Sequence, residues 1–220
     1  MKKVLFLALF MCFFTGCQKS SVKIEINKKD YETTDYKISM EIPEIKTDIP
    51  YRDKFNSDYL TLADDIFNTF SAEAIKSEAI KDNFCMVQEI KLNKKNILSI
   101  VGHIEAFTGG SQNQLYRITK NIDLTNCREL KFSDLFCDTE YKNRINSYIK
   151  TKIQEDPDRF SHLWKTPVAK DNLDFYLSTK GVVIYFPPYE LSYYSKGFIE
   201  IEIPYDELEG YLIPQIQALK

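Results

Sequence analysis

The chain has 220 residues, enough to bury the core of one domain or of two small, closely packed ones. Hydrophobic residues make up 44% and aromatic residues 14%, which excludes a disordered chain, and the scarcity of Gly and Pro argues against a long flexible linker. The formal net charge is −3 and no basic stretch interleaves with aromatics, so nucleic acid is not an expected partner.

Residues 1–16 read as a signal peptide. Lys2 and Lys3 form its positive end, and Val4 to Phe14 is an apolar run too short to span a bilayer core of roughly 30 Å. Phe13-Phe14-Thr15-Gly16-Cys17 resembles a bacterial lipobox, which implies cleavage before Cys17 and acylation of that cysteine. Several acyl chains, at about 0.8 kcal/mol per buried CH₂, make a durable membrane anchor. Residues 17–30 are then expected to form the lipid anchor and tether. Within them Val22, Ile24 and Ile26 alternate with Lys23, Glu25 and Asn27, the period of an edge strand or of an extended tether.

Tyr36, Ile38, Met40 and Ile42 alternate with polar neighbours and predict a strand that Pro43 and Pro50 bracket at its exit. From about Asn56 to Lys81 the period changes. Leu60, Ala63, Phe67, Phe70 and Ala74 make one stripe of an amphipathic helix that Asn56, Ser57 or Asp58 can cap. Three strands follow, carrying Phe84, Met86, Ile90 and Leu92, then Leu98, Ile100, Gly102, Ile104 and Ala106, then Tyr116, Ile118, Ile122 and Leu124. Their short connections, Asn93 to Asn96 and Thr108-Gly109-Gly110-Ser111, predict an antiparallel meander.

Asp138 to Glu155 predicts a second helix, capped by Asp138 and ended by Pro157, with Tyr141, Ile145, Tyr148, Ile149 and Ile153 on one face. Phe160, Leu163 and Trp164 are expected to plug the gap between this helix and a final sheet. Phe175 and Leu177 alternate with Asp174, Tyr176 and Ser178, the period of a half-buried strand, and Lys180-Gly181 supplies a turn through the positive φ that glycine tolerates. Val182 to Phe186 is apolar on both faces, and Pro187-Pro188 ends it. Ile199, Ile201 and Ile203 alternate with Glu200 and Glu202 up to Pro204, and Asp206 to Leu208 reads as a helical turn. The fold class is therefore α+β, two fused halves that each pack an antiparallel sheet with one main helix.

The text FYLSTKGVVIYFPPYELSYYSKGFIEIEIPYDEL resembles the DUF3298 family, the C-terminal module of RsiV-type anti-sigma factors, most specifically in its PPYE loop, the later glycine and the closing IPYDEL. Leu124 to Phe136 resembles the entry into the same module. The region from about Ile24 to Asp123 resembles the companion module DUF4163, which also precedes the catalytic domain of a peptidoglycan deacetylase. The resemblance divides the chain into a DUF4163-like domain at 31–125, a DUF3298 domain at 126–213 and a C-terminal tail at 214–220. Where relatives carry a GGAH-like turn, this chain reads GGSQNQ, so Gln112 and Asn113 stand there and can hydrogen-bond but not act as a base.

Chemistry-bearing residues are few. His103 shares a polar strand face with Glu105, and His162 lies in a connection; two histidines without an acidic motif do not make a metal site, so neither metal nor cofactor is expected. Glu200 and Glu202, about 6–7 Å apart on one strand face, have the spacing of paired carboxylates and also that of a wet strand face. Nothing resembles the deacetylase's metal motif. Removal of the leader takes Cys12 with it, and besides Cys17 the mature chain keeps Cys85, Cys127 and Cys137, either with a 127–137 disulfide or as three buried thiols.

These features predict no catalytic residues. The resemblance implies a non-enzymatic binding module, lipid-anchored at the bacterial cell envelope, that recognises a lysozyme-like protein or a peptidoglycan glycan. Its candidate contacts are Gly109, Gly110, Gln112 and Asn113 in one loop and Tyr189, Tyr193 and Tyr194 in another, polar and aromatic side chains on loops between strands. The competing readings are an envelope hydrolase using Glu200, Glu202 or His103, and a structural component of an envelope assembly.

Overall fold

The computed structural model describes residues 21–73 and 81–220. The leader, Cys17 and the expected end of the first helix at 74–80 lie outside the described residues. In chain order come β1 (Ile24–Glu32), β2 (Tyr36–Ile45), α1 (Arg52–Glu73), β3 (Asp82–Lys94), β4 (Ile97–Phe107), β5 (Gln114–Asp123) and β6 (Arg128–Glu129). They are followed by α2 (Tyr141–Glu155), β7 (Phe175–Leu177), β8 (Gly181–Phe186), β9 (Ile199–Pro204) and a short α3 (Pro214–Gln217). Strands β1 to β6 form one sheet in sequence order and β7 to β9 a second. This is the expected α+β arrangement of two sheet-plus-helix halves.

The first sheet departs from antiparallel pairing at one place: β2 pairs β3 in parallel. Parallel neighbours need a crossover, and α1 supplies it. The helix begins a turn earlier than its expected caps, because Phe55 and Tyr59 extend the stripe of Ala63 and Phe70 while Leu60 turns outward. Asn56 is not a cap; from inside the helix its amide binds both N–H and C=O of Ile45, fixing the end of β2. The segment expected as a tether is largely strand: β1 pairs β2 along its length, and Val22 exchanges two hydrogen bonds with the Asn93 side chain. A bulge between Ile90 and Leu92 breaks the expected face of β3 and leaves Ile90 exposed.

β4 is buried on both faces near its start. Leu98, Ile100, Ile104 and Ala106 join the core under α1, while Ile97 joins the core of the second half and Val101 packs with Tyr176, Val183 and Tyr185. Tyr176, expected on a wet face, is buried for that reason. The outer edge of β7 lies against the large sheet. Leu177 N–H donates to Ser99 Oγ at 3.0 Å, and Asn121 Nδ2 donates to the Phe175 carbonyl at 2.9 Å. Ser99 and Asn121 are cross-strand partners, themselves joined at 2.7 Å, and both are buried. Two polar side chains thus stand up from the large sheet and complete the backbone of a strand in the small one.

Helix α2 starts at Tyr141, so Asp138 caps the preceding turn instead, accepting from Glu140 N–H. Gly181 does not adopt positive φ; a Cβ there would lie 2.1 Å from the Ile203 carbonyl oxygen, so glycine serves close approach of β8 to β9. The turn itself is held by Ser178 Oγ, which accepts from Lys180 and Gly181 N–H. The expected tail at 214–220 belongs to the core: Ile216 and Leu219 are fully buried. Cys85, Cys127 and Cys137 are free thiols, Cys127 and Cys137 exposed and Cys85 half-buried, so neither the disulfide nor the three-buried-thiol expectation describes them. None of the described helices is long and apolar enough to cross a membrane.

Candidate binding surface

The two loops nominated from sequence meet. The β4–β5 connection turns at Gly109, whose φ is 79°, and presents Gln112 and Asn113. Gln112 Nε2 donates to the Tyr189 hydroxyl at 2.9 Å, and the Tyr194 hydroxyl donates to the Asn113 carbonyl. The Tyr189 and Tyr194 rings lie 5.7 Å apart. Asn113 also donates to the Glu105 carboxylate at the end of β4, which ties the loop to its strand. Gly110 is exposed and makes no hydrogen bond of its own among the described residues.

The second loop begins where Pro187 and Pro188 end β8. Tyr189 takes φ 69°, an uncommon conformation for a bulky side chain, and this turns its ring outward. Leu191 is buried and its carbonyl accepts from Trp164 N–H at 2.9 Å, while Ser192 Oγ donates to the His162 carbonyl at 3.1 Å. These bonds bring the 160–164 connection under the loop. Trp164 meets Tyr193 edge-on at 5.6 Å, and the His162 ring lies 6.2 Å from the same tyrosine. Tyr189, Tyr193 and Trp164 are 57%, 56% and 53% exposed, an aromatic rim on hydrogen-bonded loops.

Sequence reasoning missed Trp164. Of the three residues expected to plug the helix–sheet gap, Phe160 is buried and Leu163 packs against the core, but Trp164 faces solvent. The available signal was a single tryptophan two residues from a histidine, in a connection between elements.

The residues weighed for catalysis are dispersed among separate partners. Glu200 pairs with Arg117, whose side chain is 7% exposed and is sandwiched between the Tyr185 and Phe198 rings. Glu202 accepts from Ser178 Oγ at 2.7 Å. His103 is half-buried, with Nε2 3.4 Å from Glu89; burial and then the Arg117 charge hold its pKa below that of an ordinary histidine. Among the described residues no group of three or more His, Cys, Asp or Glu side chains converges as a metal site would require.

This arrangement defines an α+β protein in which a loop of the larger sheet and a loop of the smaller one are joined. Residues 133–206, which include α2, the small sheet and the aromatic loop, match the family model DUF3298, described as a protein of unknown function. No curated protein matches the chain. A crystal structure of a DUF3298 family member from Bacteroides fragilis superposes with a TM-score of 0.71 at 18% identity, covering 92% of this chain and 99% of that one. A DUF3298 family protein from Pseudomonas aeruginosa PAO1 superposes with a TM-score of 0.65 at 14% identity, covering 89% of this chain and 96% of that one. At these identities the likeness is one of fold.

Proposed function

We propose that the protein is a bacterial envelope lipoprotein, acylated at Cys17, that binds a lysozyme-like protein through the joined loops and carries out no chemistry of its own. The observation that carries this reading is the exposed rim of Tyr189, Tyr193 and Trp164, on loops joined by the Gln112–Tyr189 and Tyr194–Asn113 bonds and, at Trp164, by its N–H to the Leu191 carbonyl. Tyrosine and tryptophan supply large contact area at low entropic cost, and they dominate the energetic centres of protein interfaces. A projecting rim of this kind suits a concave partner. The resemblance of the second half to RsiV-type modules, and of the first half to DUF4163, supports the same reading.

The direction of display supports it too. Val22, five residues after Cys17, is bonded to Asn93 beside the β3–β4 turn. The binding loop leaves the opposite end of β4, which is 11 residues long and thus about 35 Å from end to end. An anchor at Cys17 would hold the loops away from the lipid.

The test is a titration of the chain from Ser20 to Lys220 with lysozymes of different classes and, separately, with soluble peptidoglycan glycans. Lysozyme binding is expected, weakened by about 30-fold in Tyr193→Ala or Trp164→Ala, in line with roughly 2 kcal/mol for an interface aromatic. Binding to neither class of ligand overturns the proposal, and binding to glycan alone reassigns the surface.

A further inference from the structure

The face of the large sheet opposite α1 is covered unevenly. At Val101 the small sheet lies on it, with Tyr176, Val183 and Tyr185 buried there. Toward the β4–β5 loop the same face is bare. Cys85 and Val87 on β3 lie opposite Glu105 and His103 on β4, and Glu105 in turn lies opposite Leu115 on β5. Strand alternation puts these five side chains on the side away from Phe84, Met86, Ile104 and Ala106, which join the core under α1. Val87 is 45% exposed although β3 is an interior strand.

Phe198 reaches this bare face from the small sheet. Cys85, Val87, His103, Glu105, Leu115 and Phe198 line most of a pocket of about 240 Å³, and its walls are mainly apolar. Its two polar side chains already have partners: Glu105 accepts from Asn113, and His103 Nε2 lies 3.4 Å from Glu89. What the pocket offers an incoming group is therefore apolar contact.

The pocket lies at the feet of both joined loops. Strand β4 carries Glu105 just before the first loop and β5 carries Leu115 just after it, while Phe198 directly follows Gly197, where the aromatic loop ends. Asn113 connects wall and loops, because its side chain donates to Glu105 and its carbonyl accepts from Tyr194.

We propose that this pocket receives one large apolar side chain of the protein that docks on the joined loops. The inference rests on the reading of those loops as the site for a lysozyme-like protein. It adds what that partner must carry: an aliphatic or aromatic residue projecting beside the surface that meets the rim. Continuity with the loops argues for this occupant, since a partner seated on them also covers the mouth of the pocket. Anchors of this kind, buried in a pocket and ringed by weaker contacts, carry most of the energy of a protein interface. Filling the pocket also takes Val87 and Leu115 out of water along with the incoming group.

The test uses the chain from Ser20 to Lys220 and the lysozyme that binds most tightly in the titration above. With Cys127→Ser and Cys137→Ser, Cys85 is the one thiol left in that chain. Its alkylation by iodoacetamide should slow by about tenfold when lysozyme is saturating, because access to the thiol is lost. Val87→Glu puts a charge in the mouth of the pocket and should weaken lysozyme binding by about tenfold, while Val87→Ile should retain it. Should Val87→Glu fold poorly, the alkylation rate with Val87 in place decides the matter. Undiminished alkylation in the complex, or full affinity in a folded Val87→Glu chain, overturns the proposal; the loops stand as the site if Tyr193→Ala still weakens binding. Absence of lysozyme binding overturns both readings. Self-association that Val87→Glu abolishes overturns this one alone, by assigning the pocket to a second copy of the chain.

Discussion

The two edges of the small sheet are completed in opposite ways. At β7 the backbone is buried and is satisfied by Ser99 and Asn121, side chains rooted in the neighbouring sheet. At β9 it opens onto a cleft, and among the described residues the long side chains of Arg159 and Tyr148 reach it. A strand edge is a row of unpaired donors and acceptors, and a fold must cover it or leave it available. Here one edge joins the two halves of the molecule and the other is left accessible. The same backbone chemistry joins two sheets in the first place and meets only long, solvent-reaching side chains in the second.

The comparison breaks first at Asn121. Asn121→Leu keeps the volume but strands the Phe175 carbonyl and removes an acceptor from Ser99 and Leu177. Buried groups left unpaired cost about 1–3 kcal/mol each, so urea unfolding should show a loss of about 3 kcal/mol. A loss below about 0.5 kcal/mol, the level of an ordinary surface substitution, would mean that the β7 edge is not what joins the halves.

Gly181→Ala probes the ladder between the two edges. Its Cβ meets the Ile203 backbone, which cannot swing aside as a side chain can, so β8 and β9 must separate. A destabilisation of about 2 kcal/mol is expected from such overpacking, with faster amide exchange at Ile201 and Ile203. Unchanged exchange would show that the strands had room.

Asp123 sharpens the comparison through pH. It sits at the end of β5, two residues from Asn121, and is buried. Burial alone would raise its pKa, but hydrogen bonds from Asn126, Gln215 and the N–H groups of Asn126 and Thr125 outweigh this and hold it below the ordinary aspartate value. A depressed folded pKa contributes stability that is fully present above the unfolded value of about 3.9 and is lost as pH falls through the lower folded value. The thermal midpoint should therefore drop below about pH 4, and Asp123→Asn should flatten that part of the profile. Equal slopes in the two proteins would contradict it.

The smallest effect is expected at the open edge. Arg159→Ala removes a solvent-exposed bond to the Glu200 carbonyl and should change stability by no more than about 0.5 kcal/mol. A larger loss would make Arg159 a structural clamp and remove the contrast between the edges.

Much of the candidate surface was legible before folding. Gly109 to Asn113 and Tyr189 to Tyr194 stand out because turn residues and exposed aromatics interrupt strand periodicity. Their meeting was not legible, since the Gln112–Tyr189 bond joins residues 77 apart. Trp164 was misjudged for the same reason. An aromatic in a connection reads alike whether it fills a core or faces water, and the Leu191 carbonyl that positions its backbone lies far along the chain. The last residues read as a tail because a four-residue helix has too few positions to show a period.

Local periodicity determined the elements: alternation marked β2, β4 and β9, an unbroken apolar run marked β8, the 3.6-residue stripe marked α1 and α2, and proline closed β8, because each pattern is decided by neighbours within a turn or two of chain. Tertiary structure alone decided what those elements face. It set β2 parallel to β3, buried Tyr176 under Val101, drew Ile216 and Leu219 into the core and gave the β7 backbone its partners in Ser99 and Asn121. Serine and asparagine on a strand carry no mark of which distant peptide group they will satisfy. That pairing depends on two sheets arriving together, and no local pattern encodes it.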